Sequence, residues 1–161
     1  MKTTIIALLF SLSFATAGTP ISLQQLPTGD SILVTFTSSG CFHHYTYEFD
    51  FRHGAAFTAK VTQIEQRWNE AQKRPEEAKR ILLGTATLTE AEVAGLDRLF
   101  TYYRSMKRGG CTTVDQIAAT HKSGDTAKTN ESFTDATCKT HDMEGVTRLA
   151  SIAEKLKTKT K

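Results

Sequence analysis

A cysteine and two adjacent histidines stand within four positions at the start of an aromatic run, SGCFHHYTYEFDF. Cys41, His43 and His44 are residue types that can bind a metal ion or form a Cys–His catalytic pair. From Phe42 to Arg52, however, apolar and polar residues alternate strictly, which predicts a β-strand with one buried face. Neighbouring side chains on a strand point to opposite faces, so His43 and His44 cannot chelate one ion.

Two interpretations of Cys41 follow from this strand. In the first, Cys41 packs at the strand end and is unpaired and buried or half-buried. In the second, it is the centre of a small hydrolase or metal-dependent enzyme with His43, and His44, His121 or His141 is a further candidate base. The sequence has no Cys-x-x-Cys or His-x-x-x-His spacing and no Gly-rich phosphate loop. It therefore assigns no catalytic residue, no metal ligand and no cofactor.

The polar side of the same strand is the first candidate binding surface. His44, Thr46, Glu48 and Asp50 are expected to face solvent. Glu48 and Asp50 fall within the ~5–9.5 Å separation of paired carboxylates in glycosidases, but a solvated strand face explains them more simply. Trp68, in a highly charged run, is the exposed element that most resembles a contact anchor.

The surrounding pattern predicts the elements that position these residues. Strands are expected over 31–37, 42–52, 57–62 and 81–88 and in a hairpin between Cys111 and Cys138, with a turn at 38–40 and a long exposed connection at 65–80. A capping box at Thr89 and Glu92 opens a helix over 89–107, and Asp142 is expected to cap a helix over 142–157. The fold class is α+β, with an antiparallel sheet of about six strands and two helices packed on one face.

Three cysteines suggest one disulfide and one free thiol, with three pairings open. Ser123-Gly124-Asp125-Thr126 is a good two-residue hairpin turn. In that register Cys111 faces Cys138 at the open end of the hairpin, within disulfide reach. The preferred bridge is Cys111–Cys138, which leaves Cys41 unpaired.

The layout of these pieces is similar to that of a known family. Gly40-Cys41-Phe42, the aromatic strand from Tyr45 to Phe51, the helix region from Leu88 to Met106 and the hairpin after Cys111 follow in the same order. They resemble a family of small, often exported bacterial domains of unknown function. The chain departs from that family at His44 and Tyr45, where a second Cys and a Pro usually follow the first Cys. The resemblance implies the fold and no activity or site residue.

The first residues predict the compartment. Lys2, an apolar stretch from Ile5 to Phe14 and Ala15-Thr16-Ala17 form a secretory signal peptide, residues 1–17, cut after Ala17. Residues 18–161 are then expected to form a single α+β domain, with an extended lead-in at 18–30 and a frayed basic tail at 157–161. The apolar stretch is too short to span a bilayer, so stable membrane anchoring is not expected.

The charge balance limits the partners. Lysine and arginine number 20 against 17 acidic residues, and removing the signal peptide removes Lys2 and no acid, which lowers the net charge from +3 to +2. Such a balance does not indicate nucleic-acid binding. The sequence therefore predicts a secreted or periplasmic, non-enzymatic domain that binds another macromolecule, most simply an envelope or extracellular protein, as inhibitors and immunity proteins do. Its predicted binding residues are Trp68, His44, Glu48 and Asp50.

Export with cleavage after Ala17 is directly testable. The intact mass of the protein recovered from the periplasm or the medium should correspond to a chain that begins at Gly18. A recovered species that retains Met1, or one that only detergent extracts, would contradict the prediction.

Overall fold

The computed structural model describes residues 19–105 and 109–159. These residues form one six-stranded antiparallel sheet, two α-helices and a short 3-10 helix. The elements are β1 (Asp30–Gly40), β2 (His43–His53), β3 (Phe57–Asn69), β4 (Arg74–Leu88), α1 (Glu90–Ser105), β5 (Val114–Ser123), β6 (Thr126–Asp135), the 3-10 helix (Lys139–His141) and α2 (Leu149–Lys159). The strand order is β4-β3-β2-β1-β5-β6. The expected α+β class with six antiparallel strands is confirmed.

Some predictions fall on residues outside this description. They are the signal peptide at 1–17, the contribution of Met106 to the helical stripe, and the last two residues of the basic tail, 160–161. Neither of the described α-helices is long and apolar enough to cross a membrane.

The two faces of the sheet differ in burial. On β2, Tyr47, Phe49 and Phe51 are fully buried, and their ring centroids lie 6.2 and 5.7 Å apart in sequence order. We call the face that carries them the core face, and the face that carries His44, Glu48 and Asp50 the open face. One hydrophobic cluster contains the core-face residues together with buried residues of both helices, including Leu96, Phe100, Leu149 and Ile152.

The turn between β1 and β2 comes later than predicted. Strand β1 continues through Ser38 and Ser39 to Gly40, which pairs with His43, so the two turn residues are Cys41 and Phe42. The prediction that Cys41 is buried or half-buried is therefore wrong, because Cys41 is exposed at the tip of a two-residue hairpin turn.

The expected loop at 65–80 is instead a continuation of two strands. Strand β3 runs to Asn69 and β4 begins at Arg74, whereas pairing of β3 with β2 stops at Thr46–Ile64. Residues 65–79 therefore form a two-stranded arm that extends past the last residue pair of β2 and β3. Glu76 holds the arm together by accepting hydrogen bonds from Arg67 Nε (2.8 Å) and Asn69 Nδ2 (2.6 Å).

The predicted disulfide is present, although the ladder beside it differs. Cys111 and Cys138 are bonded, with Cα atoms 5.8 Å apart, and Cys41 is free. A register shift between His121 and Lys122 changes the pairing of β5 with β6, which ends at Asp115–Asp135. The cysteines therefore lie beyond the ladder, in the segments that leave the two strands.

The capping box of α1 is confirmed. The Thr89 amide donates to Glu92 Oε2 (2.9 Å), and the Glu92 amide donates to Thr89 Oγ1 (3.2 Å). The pKa of Glu92 is lowered, first by its ion pair with Lys155 of α2 and then by the Thr89 amide. One carboxylate thus joins the start of α1 to the second helix.

The second helix begins at Leu149 and not at Asp142, so the expected cap at Asp142 is wrong. Gly145 has φ +69°, which is outside the helical region, and the chain crosses α1 so closely that a Cβ on Gly95 would lie 2.2 Å from Thr147 Oγ1. Leu149 onward keeps the predicted apolar stripe. At the other end, residues 157–159 were expected to be frayed, but they are helical.

The lead-in, which the structure describes from Thr19 to Asp30, is anchored to α1 by one carboxylate. Asp97 accepts hydrogen bonds from the Ser22 hydroxyl and the Leu23 amide, both at 2.6 Å. Ile21, Leu23 and Leu26 are buried in the core, and the segment contains turns. Residues expected only to be extended therefore contribute to the fold.

Thr89→Ala should lower the free energy of unfolding by about 1 kcal/mol, because the Glu92 amide loses its acceptor. Urea denaturation of the oxidised protein measures this. Thr101→Ala is the matched control, since its hydroxyl donates to the Asp97 carbonyl inside the same helix (2.8 Å) and alanine is the better helix former. Equal losses in both variants would contradict the role of the cap.

Candidate functional site

Three large apolar side chains of the described residues are strongly exposed: Phe42 (100%), Leu82 (59%) and Trp68 (56%). Phe42 occupies the turn between β1 and β2, Trp68 lies on the arm, and Leu82 lies on the edge strand β4. Exposed aromatic residues of this size are the side chains that most often anchor protein interfaces.

Phe42 and Trp68 both lie past the last β2–β3 pair, at the same end of the sheet. Pairing of β2 with β3 ends at Thr46–Ile64, and the same register continued by two residues sets His44 opposite Gln66. His44 and Gln66 do meet, with His44 Nε2 2.9 Å from Gln66 Oε1. Alternation along β3 puts Trp68 on the open face with Gln66. We call Phe42, His44, Gln66 and Trp68 the aromatic patch.

His44 fixes the geometry of this patch. Its Nε2 donates to Gln66 Oε1, and its Nδ1, 2.8 Å from Ser39 Oγ, accepts from that hydroxyl. One ring thereby connects β1, β2 and β3. Because both ring nitrogens are engaged, His44 has a structural role here and is not placed as a base or a metal ligand.

The two predicted open-face carboxylates are each paired with arginine. Glu48 Oε1 accepts from Arg80 Nη2 (2.5 Å), and Asp50 Oδ2 accepts from Arg52 Nη2 (2.9 Å). With each carboxylate held in an ion pair with arginine, neither is set up as the general acid of a glycosidase pair. Both lie on β2 beyond His44, on one side of the aromatic patch.

The expectation that Thr46 faces solvent is wrong, since only 4% of it is exposed. Its hydroxyl lies 3.0 Å from Thr37 Oγ1, and Gln66 Nε2 donates to it from the other side at 3.4 Å. Thr46 is a short side chain in an inner strand, and the side chains of its neighbours Thr37 and Gln66 cover it.

The core face carries a second group of polar residues at the same end of the sheet. Ser38 Oγ lies 3.0 Å from His43 Nε2, and the Ser38 hydroxyl also hydrogen-bonds Asp115. Asp115 is the cross-strand partner of Asp135, and His141 approaches from the 3-10 helix. We call these five residues the polar cluster.

Asp115 is the least satisfied member of the cluster. Its Oδ1 is buried and has no hydrogen-bond partner among the described residues. Burial raises the pKa of Asp115, and the charge of Asp135 raises it further. Asp135 is better supported, because its Oδ1 accepts from the amide and the hydroxyl of Thr137, both at 2.7 Å.

The polar cluster is not a nucleophilic triad, because in a triad the histidine lies between the serine and the carboxylate. Ser38 stands between the histidine and the aspartate, donates a hydrogen bond to Asp115 and is only 2% exposed. The adjoining cavity, about 30 Å³, has room for about one water. The cluster can hold a proton in a buried setting.

The sequence analysis missed Asp115, Asp135 and Ser38 as site residues. Their proximity depends on the pairing of β1, β5 and β6, which brings together positions far apart in the chain. The hairpin turn alone would pair Asp115 with Thr134, and only the register shift between His121 and Lys122 brings Asp115 opposite Asp135.

Cys41 is not part of either group. Its thiol forms no hydrogen bond with a histidine among the described residues, and His43 turns its ring nitrogen to Ser38. In the same part of the chain, no group of three or more His, Cys, Asp or Glu residues is arranged to hold a metal ion.

The pKa of Asp115 should lie above that of an ordinary aspartate, and the pKa of Asp30 should lie below it. The pKa of Asp115 is raised by burial, while the pKa of Asp30 is lowered by its hydrogen bond with His121 (2.9 Å). Carboxyl-carbon NMR titration measures both. Because folded Asp115 binds its proton more tightly than the unfolded chain does, its ionisation weakens the fold as the pH rises through the folded-state pKa.

Asp135→Asn is the control for this titration. Removing that charge should bring the pKa of Asp115 down and leave the pKa of Asp30 unchanged. An Asp115 carboxyl that titrates at or below the ordinary range would contradict the described burial.

Comparisons with protein families, with curated proteins and with solved structures find no match to this chain. The family resemblance seen around Gly40-Cys41-Phe42 therefore stays a prediction. The candidate sites rest on the geometry of the described residues.

Proposed function

We propose that this chain is an exported domain that binds another protein, of the envelope or the extracellular medium, through the aromatic patch. One observation carries the proposal. Phe42 and Trp68 are strongly exposed aromatic residues, and both lie at the end of the sheet where the β1–β2 turn and the arm extend past the last β2–β3 pair.

The patch is built to present these rings at low entropic cost. Trp68 sits on a paired strand, and the arm below it is tied by Arg67, Asn69 and Glu76. Phe42 sits in a two-residue turn whose flanking strands are joined through His44. A surface that is ordered before binding loses less conformational freedom in the complex.

The proposed architecture leaves the patch accessible. We infer that both helices cover the core face. Buried residues of α1 and α2 share one cluster with Phe49 and Phe51, and α2 reaches β2 where Lys157 Nζ lies 2.5 Å from the Tyr47 hydroxyl oxygen. The open face then remains free along β2, with the charge pairs of Glu48 and Asp50 as a polar rim.

Two features support export of this domain. The sequence predicts a signal peptide cut after Ala17, and Cys111 and Cys138 form a disulfide. Disulfides persist in oxidising compartments outside the cytosol. A partner in the envelope or the medium is consistent with both.

The experiment is affinity capture from envelope extract and culture medium with the oxidised protein as bait. Wild type should retain a partner, and Trp68→Ala should weaken its binding by about thirtyfold, the effect of losing a 2 kcal/mol interface anchor. Phe42→Ala should act in the same direction. Affinities for the captured protein are then measured with purified components.

Leu82→Ala is the matched control, because Leu82 is as exposed as Trp68 but lies outside the aromatic patch. It should bind like wild type. Equal retention by Trp68→Ala, Phe42→Ala and wild type would overturn the patch as the contact surface and direct attention to Glu48 and Asp50.

A further inference from the structure

The two halves of β4 differ in how they protect the edge of the sheet. The arm half carries Pro75, a register irregularity between its pairs at Glu77 and Lys79, and the charges of Lys79 and Arg80. Proline, bulges and charges are the devices that prevent a strand edge from pairing with another chain. The other half, 81–88 (ILLGTATL), contains no charged residue, and its own register irregularity falls at Leu83, before the regular pairs of Gly84–Leu88.

This second half presents an unpaired backbone. β4 is the first strand of the sheet, and on its outer side it pairs with no other described strand. Over Gly84–Leu88 its pairing with β3 is regular, and Thr85 and Thr87 are exposed. Another extended backbone can form hydrogen bonds with this regular row of free amide and carbonyl groups. The edge therefore suits an added β-strand.

A groove of about 580 Å³ runs between this edge and α2. Ala86 and Leu88 of β4 and Ile152 and Leu156 of α2 contribute apolar surface to it. Alternate side chains of a strand added beside β4 would point into this groove, because side chains alternate between faces.

Lys155 gives the groove a charge preference. Lys155 is mostly exposed, and Glu92 lines the groove beside it. Their ion pair uses one of the three ammonium donors, and the other oxygen of Glu92 is already engaged by the Thr89 amide. An acidic side chain on the added strand would find the remaining donors. A second copy of β4 cannot supply that acid from 81–88, which contains no charged residue.

We propose that the edge of β4 over Gly84–Leu88 is a strand-addition site for an extended segment of another protein. That segment has apolar residues at alternate positions and an acidic residue that meets Lys155. The site lies at the opposite end of β4 from the arm and goes beyond the proposed function, since it does not require the aromatic patch.

The probe is a phage-displayed library of random 12-residue peptides, selected on the immobilised, oxidised wild-type protein. Enriched peptides should alternate apolar and polar residues and contain an acid. On binding, a synthetic enriched peptide should slow hydrogen exchange at alternate amides of 84–88, because only alternate amides of an edge strand point outwards. Failure to enrich such peptides, or protection confined to other residues, would overturn the site.

Two pairs of variants sharpen the test. Thr158→Trp should fill the groove and weaken peptide binding at least tenfold, whereas Thr112→Trp, exposed and outside the groove, should change it less than twofold. Lys155→Glu should weaken binding about fivefold, in line with the strength of an exposed ion pair. Lys128→Glu should not, because Lys128 is exposed on β6, at the opposite edge of the sheet. Unchanged binding in both Thr158→Trp and Lys155→Glu would contradict the proposal.

The outcome is separable from that of the aromatic patch. Trp68→Ala should bind the peptide like wild type, so loss of the captured partner with retained peptide binding would support both sites independently. If the free protein dimerises and its amides over 84–88 are already protected in the dimer, the occupant is a second copy and the proposed partner is wrong.

Discussion

The two-residue period of β2 is the constraint on which the rest of the structure depends. In this inner strand Tyr47, Phe49 and Phe51 are buried, while His44, Glu48 and Asp50 lie on the opposite face. A slip of one residue in its pairing would exchange the two sets and bury three ionisable groups. The Cys41-Phe42 turn prevents this slip, because it fixes Gly40 opposite His43. Core and aromatic patch thus follow from one register.

Strand length explains why the arm exists. β3 and β4 contain 13 and 15 residues, whereas β2 contains 11, and the excess passes beyond the pair Thr46–Ile64. Without the support of β2, the arm is held by its own ladder and by side-chain pairs such as Arg67–Glu76 (2.8 Å). The arm has no buried face, and its residues are accordingly mostly charged or polar. Trp68 is exposed because no hydrophobic core lies against the arm.

Sequence patterns predicted those elements that depend on interactions between residues close together in the chain. The alternation from His43 to Phe51 and the Thr89–Glu92 capping box were sufficient for their elements, because both depend on near neighbours in sequence. The arm was read as a loop because its residues lack apolar alternation. The start of α2 was misplaced because Thr147 is held against Gly95 by tertiary packing.

The candidate sites divide in the same way. His44, Glu48, Asp50 and Trp68 could be predicted as a set, since three share one strand face and the fourth is the only tryptophan of the chain. Their organisation could not be predicted, because the His44–Gln66 contact needs the β2–β3 register. The polar cluster was invisible from sequence, as Ser38, Asp115 and His141 meet only after three distant segments pack together.

The disulfide explains how the sheet tolerates that cluster. An unpartnered buried carboxylate oxygen costs about 1–3 kcal/mol, and Asp115 Oδ1 is such an atom. Closing a loop between residues 27 positions apart contributes about 3 kcal/mol by restricting the unfolded chain. The two terms are similar. Cys111 precedes β5 and Cys138 follows β6, both at the end of the hairpin where Asp115 pairs with Asp135. The covalent bond therefore stabilises the part of the sheet that polar burial weakens, and the β1–β2 turn that presents Phe42 extends from that end.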